Sequence, residues 1–236
     1  MLLTVAGVAV FCALGVWQVH RASYKQTVLV RFHRAADASL VPLATAVADP
    51  HRGDYPHVRV RGQLDGHRTY LLDDQMRDNM LGVMVFVPFR PSGAHTSVLV
   101  NLGFLPNRGP DATRLPALPP IPAGTVTLTG IYAPPPPPGL KLGGNPLIHE
   151  TTWPKLVTWI STRQIADDLH TSILPHVLLL DPDPHSAYLR IWNANISMTP
   201  SRHMAYAFQW FTFAFVTVLV FLVLHRVKRE RGRAVR

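Results

Sequence analysis

The stretch from Met204 to Leu224 has no charged residue and only three polar ones, Gln209, Thr212 and Thr217. At about 1.5 Å per residue, a helix of this length crosses a hydrocarbon core of about 30 Å. His203 stands at one end, and His225-Arg226-Val227-Lys228-Arg229 follows at the other. A period of 3.6 places His203, Tyr206, Ala207 and Trp210 on one stripe. That stripe carries an imidazole, a phenol and an indole over a small residue, where a neighbouring helix or a flat ligand can pack. An aromatic belt at the membrane boundary beside a solvated histidine has the same pattern.

A second apolar run, Leu2 to Val19, is just long enough to span. A cleaved signal peptide wants a basic start and a small-residue cleavage site. Nothing basic precedes Leu2, and His20-Arg21-Ala22-Ser23-Tyr24-Lys25 follows. Cys12 is preceded by Phe11, not by the small residue a lipoprotein cysteine wants. The run reads as a retained anchor. The expected organisation is a first span at 2–19, an outer domain at 20–203, a second span at 204–224 and a basic tail at 225–236.

The net charge of +9 is concentrated at the C-terminal end. Six basic side chains and Glu230 give the last eleven residues +5, leaving +4 for the rest. A basic segment directly after a span marks the cytoplasmic side and meets anionic lipid there. Arg21, Lys25, Arg31 and Arg34 argue the other way, but long domains translocate largely regardless of charge. Both termini are therefore expected inside and the central domain outside. A basic tail tethered to a bilayer, without interleaved aromatics, is no nucleic-acid patch. Arginine in preference to lysine and the chain's length of 236 residues point to a bacterial cell membrane. With Cys12 as the one cysteine, the outer domain has no disulfide framework and must stand on its core.

Trp17, Arg21 and Tyr24 lie at 0, 4 and 7 on the first helix, which is expected to continue to about Arg34. Trp and Tyr anchor at an interface, and Arg21 can snorkel or reach a neighbouring subunit. From Val58 the period becomes 2. Val58, Val60 and Leu64 alternate with Arg59, Arg61 and Gln63, and Asp65-Gly66 signals a hairpin to Thr69–Leu72. Val83–Phe89, Val98–Phe104, Thr125–Tyr132, Leu174–Leu180 and Tyr188–Trp192 read as further strands, the second buried on both faces. Pro134 to Pro138 reads as a stiff connector at a strand exit. Ser161-Thr162-Arg163-Gln164 is a capping box for a short helix at 162–170. The fold class is a membrane protein whose two transmembrane helices flank an extracytoplasmic, β-rich α+β domain, an antiparallel sheet or open barrel.

No glycine-rich phosphate loop, Gly-x-Ser-x-Gly or His-Glu-x-x-His is present, so the chain does not read as an enzyme. His51 and His57 flank a Gly-Asp-Tyr-Pro turn and read as surface histidines rather than metal ligands. Met76, Met80 and Met84 repeat every four residues, as a copper(I) site would, but without Cys or His among them they read as core and turn. Asp73, Asp74 and Asp78 read as a solvated loop.

Leu14-Gly15-x-Trp17-Gln18-x-x-Arg21-x-x-x-Lys25 resembles the opening motif of the Surfeit locus protein 1 family. Gly62, Gly82 and Val98-Leu99-Val100-Asn101-x-Gly103-Phe104-x-Pro106 are similar to its central motifs, with Leu102 in place of Arg and Phe104 in place of Trp. His203-x-x-Tyr206-Ala207-x-x-Trp210-Phe211 resembles its closing motif, with Ser201 where the family usually has Asn. The resemblance implies a factor that assembles or stabilises haem–copper cytochrome c oxidase. It implies transient handling of haem a, with His203 as the iron ligand and Tyr206, Trp210 and Arg21 completing the haem site. It leaves Trp17, Gln18, Arg21 and Tyr24 to bind partners: oxidase subunits, membrane lipid or a respiratory supercomplex. The rival expectation is a permanent structural subunit with no cofactor of its own.

Overall fold

A computed structural model describes residues 2–49, 55–77, 79–107, 115–138, 144–192 and 198–234, with the side chains of 148 and 227–234 left aside. The chain divides into two compact units, Met1–Val30 with Ile196–Arg236 and Arg31–Asn195.

The first unit is a pair of long helices, each 35 residues. They are α1 (Leu2–Ala36, whose last turns belong to the second unit) and α4 (Pro200–Ala234). Both are long and apolar enough to cross a membrane, and only 11 % of each apolar window is buried. That exposure separates them from core helices of a water-soluble domain, which hide their apolar faces. The residues expected as a separate basic tail continue α4 as far as Ala234.

The second unit is built on strands β1 (Val41–Pro42), β2 (His57–Leu64), β3 (Tyr70–Arg77), β4 (Met80–Pro91), β5 (Ser97–Pro106), β6 (Thr125–Ala133), β7 (Lys155–Val157) and β8 (Ile173–Leu180). Two short helices join them, α2 (Leu43–Ala48) and α3 (Thr162–Leu169). The sheet runs β1-β2-β6-β8-β5-β4-β3-β7, and a further pairing joins β2 to β4. The circuit β2-β6-β8-β5-β4 therefore returns to β2 as a closed five-stranded ring. The sheet is mixed rather than antiparallel, because β1–β2, β3–β7 and β5–β8 run parallel.

Alternation on β2 buries Val58, Val60 and Gly62 and exposes Arg59 and Arg61. Ser97 to Leu105 is buried without a break, as expected for the central strand. Gly62 closes the ring. A Cβ there would lie 2.1 Å from the Arg90 carbonyl oxygen, so only glycine lets β2 approach β4. Asn101 makes a second close approach. It is 1 % exposed, its Oδ1 accepts from the Gly103 amide at 3.0 Å, and its Nδ2 donates to Met84 Sδ at 3.6 Å. The register slips here: Val85 faces Gly103 and Phe86 faces Asn101, leaving Leu102 as an extra residue, a β-bulge.

The structure corrects several expectations. The Asp65-Gly66 turn forms, with the Arg68 amide donating to the Asp65 carbonyl, but β2 and β3 do not pair. β2 pairs with β6 and β4 instead, and β3 with β4 and β7. Tyr188–Trp192 makes one bridge, Leu189 to Phe104, rather than a strand. Its polar side chains bond to backbone instead. Arg190 donates to the Leu102 and Asp181 carbonyls, and Trp192 to that of Leu180. Asp73 and Asp74 lie within β3 at a register shift, not in a loop, and Asp78 lies outside the described residues.

The capping box is half made. Ser161 Oγ accepts from the Gln164 amide, while Gln164 Oε1 accepts from Asn145 Nδ2. From α3, Asp168 accepts from Tyr70 Oη at 2.8 Å and from Lys155 Nζ, which is 7 % exposed and lies over the Trp153 ring. Burial, then the Asp168 carboxylate, push the Tyr70 phenol far above its ordinary pKa, so it remains a donor.

Candidate functional site

Within the helix pair, α1 turns Phe11, Gly15, Gln18 and Ala22 to one side, at spacings 0, 4, 7 and 11. α4 answers with His203, Ala207, Trp210, Phe211 and Ala214. Phe11 stacks on Trp210 with ring centroids 5.9 Å apart and planes inclined by 23°. Phe213 packs against both rings at 5.8 Å. Gly15 leaves room for Phe211, whose ring carbons would lie 2.7 Å from a Cβ at that position. Ala22, Ala207 and Ala214 are buried on the same faces. Small residues let two helices approach where lipid gives no hydrophobic drive to associate.

The polar contact of this pair is His203 with Gln18. The imidazole Nδ1 donates to the amide Oε1 at 2.6 Å, across 185 residues of sequence. His203 is 6 % exposed. Ser201 lies apart from it: its hydroxyl meets that of Thr199 at 3.0 Å, and the Thr199 carbonyl accepts from the His203 amide.

The profile of the SURF1 family matches residues 5–215, which takes in nearly all of α1, all of the sheet and α4 as far as Phe215. The chain belongs to the SURF1 family. A stretch of 122 residues is 30 % identical to Surfeit locus protein 1 of Xenopus tropicalis, covering 45 % of this chain and 39 % of that protein. A stretch of 109 residues is 28 % identical to Surfeit locus protein 1 of Rattus norvegicus, covering 40 % and 36 %. The chain thus matches well under half the length of these curated relatives.

In this SURF1 member the two end motifs divide by helix face. His203 and Gln18 come together, and so do Trp210 and Phe11. Trp17, Arg21 and Tyr24 are exposed, with the Arg21 guanidinium 5.8 Å from the centre of the Tyr24 ring. Tyr206 is also exposed, at 45 %. The two helices do pack together. The residues of α1 that face α4 are those of the Phe11–Ala22 stripe, not Trp17, Arg21 and Tyr24. Gln18, expected to face a partner, instead holds His203. Sequence reasoning missed Phe11 and Gly15, although their spacing was open to view.

Other candidate groups resolve as structure. His57 Nδ1 faces the Ala38 carbonyl at 3.1 Å and Nε2 faces Asp181 at 2.9 Å, so both ring nitrogens are engaged. Its proposed companion His51 lies outside the described residues. Met84 is core, while Met76 and Met80 are exposed at the ends of β3 and β4. No group of three or more His, Cys, Asp or Glu side chains among the described residues has metal-binding geometry.

Proposed function

We propose that this chain is a membrane-anchored assembly factor for cytochrome c oxidase that carries haem a transiently, with His203 as the iron ligand. The observation that carries the reading is the hydrogen bond between His203 and Gln18. One ring nitrogen is engaged, and among the described residues Nε2 has no hydrogen bond. An imidazole in this state suits a haem iron. Haem, when bound, would supply an iron that accepts an imidazole nitrogen. The chain's own contribution is to hold the ring in place across two helices, with Tyr206 exposed one turn away. Arg21, exposed on α1, is a donor for a propionate. The central domain lies outside the membrane and both termini inside, a reading supported by the basic run after Leu224.

A second reading has its own observation. Trp210 and Ala207 are occupied by helix packing rather than free to wall a porphyrin. Trp17, Arg21 and Tyr24 form an exposed aromatic and cationic face instead. This favours a permanent accessory subunit without a cofactor. The visible spectrum of protein purified away from oxidase, after co-expression with haem a synthesis, separates the two. Under the first reading wild type shows a haem spectrum and His203→Ala loses it while remaining inserted and folded. A haem-free wild type, recovered one-to-one with mature oxidase, establishes the second.

A further inference from the structure

We propose that Gln18 is a positioning residue that fixes the ligating tautomer of His203, so that cargo is held only while the two helices are paired. This rests on the haem reading. An amide oxygen carries no proton, so at 2.6 Å the proton of this bond sits on Nδ1. A neutral imidazole has one ring proton, and its place on Nδ1 leaves the Nε2 lone pair for a metal. A ligating histidine needs its second nitrogen fixed in this way, and the group that fixes it also sets ligand basicity.

Ser201, which stands where the family usually has Asn, spends its hydroxyl on Thr199. The task falls to a residue at the opposite end of the sequence. The same helix face already packs through Phe11, Gly15 and Ala22, so Gln18 is not required to fill space there. An amide placed among apolar residues is costly unless it is bonded, and here its bond is to His203. Separating α1 from α4 would remove the acceptor from Nδ1 and make the imidazole a weaker donor to iron; once the Nε2–iron bond had broken, the ring proton could settle on Nε2 and disfavour rebinding. Release of cargo would then follow from a change in helix pairing, with no separate releasing group.

The test uses the full chain in nanodiscs as wild type, Gln18→Leu and Gln18→Glu, each co-expressed with haem a synthesis. In haem-free protein, nitrogen NMR of His203 should show Nδ1 protonated in wild type and in Gln18→Glu, and a shift toward Nε2 protonation in Gln18→Leu. Haem retention should fall about 10–100-fold in Gln18→Leu, the usual cost of losing such a supporting bond, and Gln18→Glu should restore it. The reduction potential of the bound haem should be lowest with Glu, intermediate with Gln and highest with Leu, because a stronger acceptor makes the imidazole more electron-rich. Gln18→Leu matching wild type in tautomer, retention and potential overturns the proposal. A wild type without haem overturns the haem reading alone, and the tautomer comparison still decides whether Gln18 sets the state of His203. Should Gln18→Leu fail to fold, Gln18→Glu carries the test, and a wild-type potential with Glu counts against the proposal.

Discussion

Phe11, Trp210 and Phe213 form a triangle of rings, and the way its three edges are shared makes a quantitative prediction. In lipid, a ring that leaves its neighbour gains lipid contact in exchange, so the area contribution largely cancels and the aromatic geometry remains. Each pair, with centroids 5.8–5.9 Å apart, is worth about 0.5–1.5 kcal/mol. Phe11→Leu removes both edges that cross between the helices and should cost about 1–3 kcal/mol, whereas Trp210→Leu removes one, about 0.5–1.5 kcal/mol, because its contact with Phe213 lies within α4 and survives separation. The double variant removes only two interhelical edges, because the Phe11–Trp210 edge is common to both. The two costs should therefore fall short of additivity by one edge, about 0.5–1.5 kcal/mol. The measurement is helix separation under rising sodium dodecyl sulfate in mixed micelles. Energy transfer between labels at Thr4→Cys and Leu224→Cys in a Cys12→Ala background reports it, since these residues line one crevice of the pair. Additivity within about 0.3 kcal/mol would refute the direct contact and with it the assignment of Phe11 to the packing face.

Gly62→Ala should open the β2–β4 closure, because the new Cβ meets a backbone oxygen at 2.1 Å and strand separation is the only relief. Overpacking of this kind costs about 1–3 kcal/mol, or roughly 2–12 °C in the melting temperature of a unit this size, whereas an unchanged melt would refute the close approach. For topology, a reporter active only in the cytoplasm should work when fused after Arg236 and fail when fused after Pro138, and the reverse result would sink the proposed orientation.

Composition and local period carried much of the fold. The charge-free run from Met204, the alternation on β2 and the buried run in β5 each led to the right element. What they could not supply was partnership. Asp65-Gly66 encodes a turn, and the turn is there, but a turn does not oblige its flanking strands to pair. Gly62 lets β2 reach β4, and β6 takes its other edge, so no edge is left for β3. Tyr188–Trp192 looked like a strand because its residues suit one. Arg190 and Trp192 bond to backbone carbonyls with their side chains, an arrangement invisible to a period-2 reading. Lys155 is a buried charge whose partner Asp168 lies on another element, a pairing that no local period encodes.

The opening motif shows the same limit most sharply. A helix of period 3.6 carries several stripes at once, and periodicity names them without ranking them. Trp17-Arg21-Tyr24 drew notice because aromatic and cationic residues are chemically conspicuous. Phe11-Gly15-Gln18-Ala22 was equally regular, and its glycine was the physical clue, since a residue with no side chain inside a span marks a place where another backbone or ring comes close. Once Gly15 is taken as the contact with Phe211, the residue one turn further along α1 must face α4 as well, and that residue is Gln18. An apolar neighbour would leave its amide unsatisfied, so its counterpart had to be polar. Along the first turns of α4, Ser201 bonds back to Thr199, and His203 is the side chain that meets the amide. The pairing of the two end motifs is thus a consequence of one small residue and one amide, and it leaves Trp17, Arg21 and Tyr24 to face outward.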